Sequence, residues 1–157
     1  MLFQAAQDSG MILALDEAAY RVVLEFFAAL QWSGKLFLNL RPRSLLAPCF
    51  TLSNLQRVIT TVGLHPSQII LDLTEHEPIP DTASLLRLLD PLFDEGTTLS
   101  LDDVGAGFAS MRAICELHPH LIKIDRFFIT GIADDMVKRR VVQNFAGILV
   151  TSYQPSI

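Results

Sequence analysis

Basic residues are scarce in this 157-residue chain: 12 lysines and arginines face 17 aspartates and glutamates, for a net charge of −5. That balance excludes a general affinity for nucleic acid polymers, which demands a basic stripe. A phosphate-bearing ligand would need metal ions or a few well-placed bases. Cysteine is nearly missing. Cys49 and Cys115 stand apart with no C-x-x-C spacing, so they read as buried small hydrophobes in a reducing compartment rather than as metal ligands. No apolar run approaches the roughly 18 residues of a membrane span, and the opening MLFQAAQDSG lacks the basic-then-apolar order of a secretory leader. There is no G-x-S-x-G nucleophile elbow. The lone G-x-G of VGAGF has neither the third glycine of a dinucleotide fingerprint nor the Gly-Lys-Ser/Thr of a phosphate loop. Low-complexity segments and linkers are missing too. These gaps leave a soluble cytoplasmic domain.

Half of the residues are apolar and the mean hydropathy is +0.38. Parallel sheets covered on both faces carry that bias, because their strands are apolar throughout; a fragment parted from its partner surface would carry it too. The length permits one domain with a real core. Short apolar runs recur at LFLNL (Leu36 to Leu40), IILDL (Ile69 to Leu73), TLSLD (Thr98 to Asp102), LIKID (Leu121 to Asp125) and GILVT (Gly147 to Thr151). Each is bounded by turn residues and suits a buried strand. Helical patterns lie between them. Asp16 is placed to cap EAAYRVVLEFFAALQ ahead of Gly34, and Thr51 or Ser53 to start LSNLQRVITTV before Gly63. Asp81 is placed to cap TASLLRLLDPLFDE before Gly96, with Pro91 kinking or shortening its end, and Asp134 or Asp135 to open MVKRRVVQNFAG. Strands alternating with such helices predict a parallel α/β sheet, open or closed into a barrel. A closed (β/α) barrel needs roughly 250 residues. The runs therefore predict an open sheet, the middle of something larger, with its apolar edge covered by a second copy of the chain.

Polar residues fall at or near the C-terminal ends of these runs: Asn39, Asp72, the adjacent Asp102 and Asp103, and Lys123. Parallel strands bring such ends to one side of a sheet, where α/β folds build their sites. Amide and carboxylate oxygens are hard ligands, suited to Mg²⁺, Mn²⁺ or Ca²⁺ rather than zinc. Adjacent carboxylates stay ionised together only where a cation offsets their repulsion. The alternative is that Asp102 ends its strand while Asp103 caps the next turn and binds its free amides. Lys123 either pairs with Asp125 or Asp102 without chemistry, or orients or deprotonates a water beside metal ions; spacing does not separate the two. His65, His76, His118 and His120 sit beside prolines or in loops with no shared helical face, and read as non-ligands.

These segments together resemble the EAL domain family, bacterial phosphodiesterases that open cyclic di-GMP to a linear dinucleotide. LFLNLRPRSLLAP is similar to the family's strand ending in Asn before L/V-S-P, and ILDLTEHEPIPD to its E-L-T-E segment. LSLDDVGAGFASM resembles D-D-F-G-T-G-Y-S-S, and LIKIDRFFITGI resembles K-I-D-R-S-F-I-x-G-I. LFQAAQDSGMI is similar to the helix F-I-x-x-A-E-x-S-G-L-I, so the likeness runs from about Leu2 to about Gly147. It implies an α/β fold, an incomplete TIM-like (β/α) barrel with mostly parallel strands, with residues 1–157 forming a single partial EAL domain. It also implies a pair of Mg²⁺ or Mn²⁺ ions at the C-terminal face. Carried over by residue, Asn39, Asp72, Asp102 and Asp103 resemble the metal ligands, Asp72 being one methylene shorter than the family's Glu. Glu75 matches the glutamate that braces the loop after the D-D pair, and Lys123 the lysine associated with the attacking water.

Departures accompany the matches. Val104, Ala106 and Arg41 replace the usual Phe, Thr and Ser, and neither the E-A-L nor the E-G-V-E segment lies within these residues. The resemblance implies a cytoplasmic phosphodiesterase whose partners are cyclic di-GMP and either a second copy or the other domains of a longer signalling protein. The shortfall of ligands implies instead a truncated or degenerate module that binds the nucleotide or a protein without hydrolysis, with the isolated chain silent or nearly so.

Overall fold

The computed structural model describes residues 2–47, 52–74, 79–105 and 110–152. Within them the apolar runs form strands β1 (Leu36–Leu40), β2 (Ile69–Thr74), β3 (Thr98–Val104) and β4 (Leu121–Ile124). All pair in parallel, in the order β1-β2-β3-β4. Helices α1 (Leu2–Asp8) and α2 (Ile12–Ala29) precede β1; α3 (Pro42–Leu45) and α4 (Leu52–Thr61) lead to β2. Helix α5 (Thr82–Asp94) joins β2 to β3, α6 (Ser110–Leu117) joins β3 to β4, and α7 (Arg126–Ile129) and α8 (Met136–Ser152) follow. Sequential strands side by side with helical crossovers form the wall of a barrel rather than a doubly wound sheet, whose strand order reverses.

Side chains alternate across a strand. One face sends Leu38, Leu40, Ile69, Leu71, Leu73, Leu99 and Leu101 into the helix layer, where they meet Leu24, Leu55, Ile59, Leu85, Leu89 and Leu92 in one continuous core. Removing that apolar area from water is the main stabilising term. The opposite face carries Phe37, Asn39, Asp72, Thr74, Ser100 and Asp102. The chemistry is therefore confined to one side of the sheet by period alone.

Local signals set several helix ends. Asp81 accepts from the Ser84 amide at 2.9 Å at the start of α5, and the Ser84 hydroxyl and amide hold its carboxyl below the ordinary range. Gly63 (φ +84) and Gly96 (φ +92) stand just beyond α4 and α5 in the left-handed region. Asp135 accepts from the Val137 and Lys138 amides and opens α8. Helix α5 runs past Pro91 to Asp94, so the proline does not cut it short.

Some expectations fail. The run GILVT is not a fifth strand but the end of α8. Val141, Phe145 and Ile148 recur at helical spacing and pack on the core, and a short apolar run reads as either element until its packing decides. Asp16 caps nothing, because α2 starts at Ile12 behind Met11 with no side-chain cap. Cys115 is exposed rather than buried, while Cys49 and His76 lie outside the described residues.

His65 and His120 prove structural. His65 accepts from the Ser67 amide in a capping box. His120 Nδ1 accepts from the Leu99 amide at 3.2 Å, and its ring lies 6.0 Å from that of Phe93. Burial pushes the His120 imidazole below its ordinary pKa. The unfolded chain therefore binds the proton first, so stability is full above the unfolded value of about 6.5 and falls as pH drops through the window beneath it. His120→Asn, which keeps an acceptor for the Leu99 amide, is expected to flatten that part of the stability–pH curve in urea unfolding.

Candidate functional site

Parallel pairing places Asn39 of β1 level with Asp72 of β2, Asp72 level with Ser100 of β3, and Thr74 level with Asp102. Above them opens a cavity of about 840 Å³. Its walls include Asn39, Asp72, Thr74 and Asp102 from the strands, Arg41 and Ser44 from the segment after β1, and Asp16 and Tyr20 from α2.

Asp72 is the most confined of these groups. Its side chain is 0% exposed, Lys123 Nζ donates to its Oδ2, and the same ammonium lies 3.7 Å from Asp102 Oδ2. That ammonium also stands 4.4 Å from the centroid of the Phe37 ring, within cation–π range. A buried carboxylate demands such a partner. Asp125 is not that partner: it accepts from the Phe127 amide at 2.6 Å and caps α7. The other oxygen of Asp72, Oδ1, has no hydrogen-bond partner, and neither does Ser100 Oγ, its neighbour across the strands. Buried orphan oxygens are uncommon, and two side by side mark a place where a cation or a polar group of a ligand fits.

The adjacent carboxylates rest on a bulge. Leu101 pairs with Ile122 but Val104 pairs with Ile124, so β3 spends one residue more than β4 over this span. Leu101 and Val104 are both buried, and Asp102 and Asp103 between them both stay out of the core. Asp103 pays in conformation: its φ is +56 and its amide donates to Asp102 Oδ1 at 3.0 Å. Gly105 follows at φ +102, where a Cβ would lie 2.4 Å from Phe128 Cε2, so only glycine fits beneath that ring. Asp102 thus accepts the amide of its own neighbour at the end of the strand.

Of the six residues singled out in the sequence, Asn39, Asp72 and Asp102 line the cavity, and Lys123 binds two of them. Among the described residues that line it, Asp103 is not included. Glu75 lies outside the described residues. Three or more His, Cys, Asp or Glu side chains nowhere gather into a metal-type cluster among the described residues. The donors that do converge are all oxygens, one of them orphaned, and this set fits a hard divalent ion.

Sequence reasoning missed the α2 wall. Asp16 accepts from Ser44 Oγ and stands 3.8 Å from Arg41 Nε, which ties α2 to the segment after β1. Tyr20 lies beside them, its phenol pushed above its ordinary value by burial first and by Glu17 second, with Arg21 and Arg57 opposing. Thr74 was legible as the residue two beyond Asp72; Asp16 was not, because it passed for a cap.

Removing Lys123 leaves a buried carboxylate without its cation. Lys123→Met is expected to cost about 1–3 kcal/mol in urea unfolding with EDTA. Adding Asp72→Asn should recover more than half of that loss, because the two changes share one interaction.

The EAL domain family model matches residues 1–151. The cyclic di-GMP phosphodiesterase PdeL of Escherichia coli K12 is 29% identical over 102 residues, which is 62% of this chain and 28% of that protein. The chain thus spans well under half the length of that curated relative. BlrP1 of Klebsiella pneumoniae, solved with manganese and cyclic di-GMP, superposes with a TM-score of 0.79 at 25% identity, over 90% of this chain and 36% of that one. The FimX EAL domain of Xanthomonas citri, solved with cyclic di-GMP, superposes with a TM-score of 0.80 at 15% identity, over 94% of this chain and 59% of that one; at that identity it speaks for the fold alone. The four parallel strands are accordingly an arc of a TIM-like barrel, and the chain belongs to the EAL domain family.

Proposed function

We propose that the cavity is the catalytic face of an EAL-type phosphodiesterase, which hydrolyses cyclic di-GMP to the linear dinucleotide with a pair of Mg²⁺ or Mn²⁺ ions. Residues 1–157 form a single partial domain of that kind. The observation that carries this is Asp72: a fully buried carboxylate level with Asn39, bridged by Lys123 to Asp102, with one oxygen unpartnered. The similarity to PdeL, a cyclic di-GMP phosphodiesterase, and to BlrP1, solved with manganese and cyclic di-GMP, supports it.

Asn39, Asp72 and Asp102 are the proposed ligands from the cavity wall, joined by Asp103 from the same bulge, with Glu75 bracing the loop beyond. Divalent ions held there would lower the pKa of a water and offset charge on the phosphoryl oxygens. The chain's own residues do the rest. Asn39 and Asp72 stand level across two paired strands. Lys123, fixed between carboxylates and the Phe37 ring, orients the attacking water by donating to it. We place the protein in the cytoplasm; no helix among the described residues is long and apolar enough to cross a membrane.

One observation favours a second reading, a module that binds nucleotide without turnover: no cluster of three or more acidic, His or Cys ligands forms among the described residues. Losing one well-placed electrostatic group costs about 10²–10³ in rate. Mixed with cyclic di-GMP and Mg²⁺ or Mn²⁺, the isolated chain is expected to bind the nucleotide in a metal-dependent way. Its production of linear dinucleotide should barely exceed that of Asp102→Ala. Rapid hydrolysis by the intact chain would reject the reading without turnover, and lack of metal-dependent binding would reject cyclic di-GMP as the ligand.

A second copy is the proposed partner for the outer face of α2, where Val22, Phe26 and Leu30 recur at helical spacing with 62%, 67% and 56% of their surface exposed. Other domains of a longer signalling protein would be the alternative cover. Light scattering at micromolar concentration should report a dimer that Phe26→Glu returns to monomer, whereas a wild-type monomer rules the second copy out.

A further inference from the structure

The cavity is charged unevenly. Asp16, Glu17, Asp72 and Asp102 line it together with Arg41. Among the described lining residues Arg41 is the sole cation, and Lys123 is engaged with Asp72 and Asp102 beneath. An anionic ligand would be repelled along most of this wall. It can be received where divalent ions offset the Asp72 and Asp102 charges, or at Arg41.

Arg41 is also held in place. Asp16 projects from the second turn of α2 with its side chain only 14% exposed, and stands 3.8 Å from Arg41 Nε. The Ser44 hydroxyl donates to the other oxygen of the same carboxylate. Ser44 is itself buried and belongs to α3, directly after Arg41 and Pro42. Pro42 at the first helical position fixes the backbone there. The guanidinium is thus paired with a carboxylate that Ser44 fixes between α2 and the β1–α3 junction, at a position where the related family usually carries a serine. A rigid planar fork suits phosphate oxygens far better than a flexible ammonium does.

We propose that Arg41, positioned by Asp16 and Ser44, is a phosphate-binding residue of this chain and takes one phosphodiester of cyclic di-GMP. This assignment rests on the phosphodiesterase reading of the cavity. The ligand carries a pair of phosphodiesters, and the other lies toward Asp72 and Asp102. Asp16 serves as a positioning residue, since it acts through the guanidinium rather than on the ligand.

The test follows the Arg41 Nε–Hε resonance of ¹⁵N-labelled chain in magnesium buffer, titrated separately with cyclic di-GMP and with inorganic phosphate. Both are expected to shift it. Arg41→Ser should weaken cyclic di-GMP binding about tenfold, the loss of one charge-assisted contact. Arg41→Lys should recover only part of that, and Asp16→Asn should fall between wild type and Arg41→Ser. An Arg41 resonance unmoved by phosphate, or wild-type affinity in Arg41→Ser, overturns the assignment. A phosphate shift without a cyclic di-GMP shift upholds the anion contact and instead overturns cyclic di-GMP as the ligand. Because the titrations use the wild-type chain, a poorly folding variant does not remove the test.

Discussion

A carboxylate with no exposed side-chain surface sits in the middle of a parallel sheet, and the rest of the site is arranged around its pairing with an ammonium. Asp72 lies on β2 and its ammonium partner, Lys123, on β4, with β3 between them. The lysine can reach only if three strands are parallel, adjacent and in register. A slip of one residue in β3 would turn Asp102 and Ser100 into the leucine layer and bring Leu99 and Leu101 out. The leucine layer holds that register far more strongly than the polar groups could, since several strand leucines are sealed against α4 and α5. Packing on one face therefore sets the geometry on the other.

The same division explains the cost at the end of β3. Two successive carboxylates cannot share one face of a regular strand, because the second would enter the core. The bulge resolves this by giving β3 an extra residue, and the cost appears as a left-handed Asp103. Phe128 then closes over Gly105, and its ring meets that of Phe145 at 6.3 Å. The turn beneath the carboxylates is thereby backed by α7 and α8. Local strain at a site persists where surrounding structure over-determines it, and here an aromatic seat on a bare backbone supplies that constraint.

Arg41 and Asp16 add a contrast in charge. The cavity floor is made of oxygens that suit cations, and its α2 side carries a guanidinium that suits anions. A ligand with a pair of phosphodiesters, one met by metal ions and the other by the Arg41 fork, would be oriented as well as bound. Such placement matters in hydrolysis, where positioning and electrostatic stabilisation supply most of the rate.

Much of this could be read from the chain alone. The runs LFLNL, IILDL and TLSLD were legible as buried strands, because each is short, apolar and bounded by turn residues. The C-terminal placement of Asn39, Asp72 and Asp102 followed from parallel pairing, and Asp81, Gly63 and Gly96 announced their helix ends through capping chemistry that involves near neighbours only. Local spacing failed where two outcomes share a pattern. GILVT suits a strand or a helix, and contact with the core through Phe145 and Ile148 decided for α8. Asp16 looks like a cap until Ser44 and Arg41, distant in sequence, claim its carboxylate. Lys123 had nearby aspartates to choose from, yet its closest partner lies 51 residues away. The sequence by itself determined the first four strands and the oxygen chemistry at their ends. Tertiary structure alone decided which charges meet, because pairing across strands depends on register and burial that no local window contains.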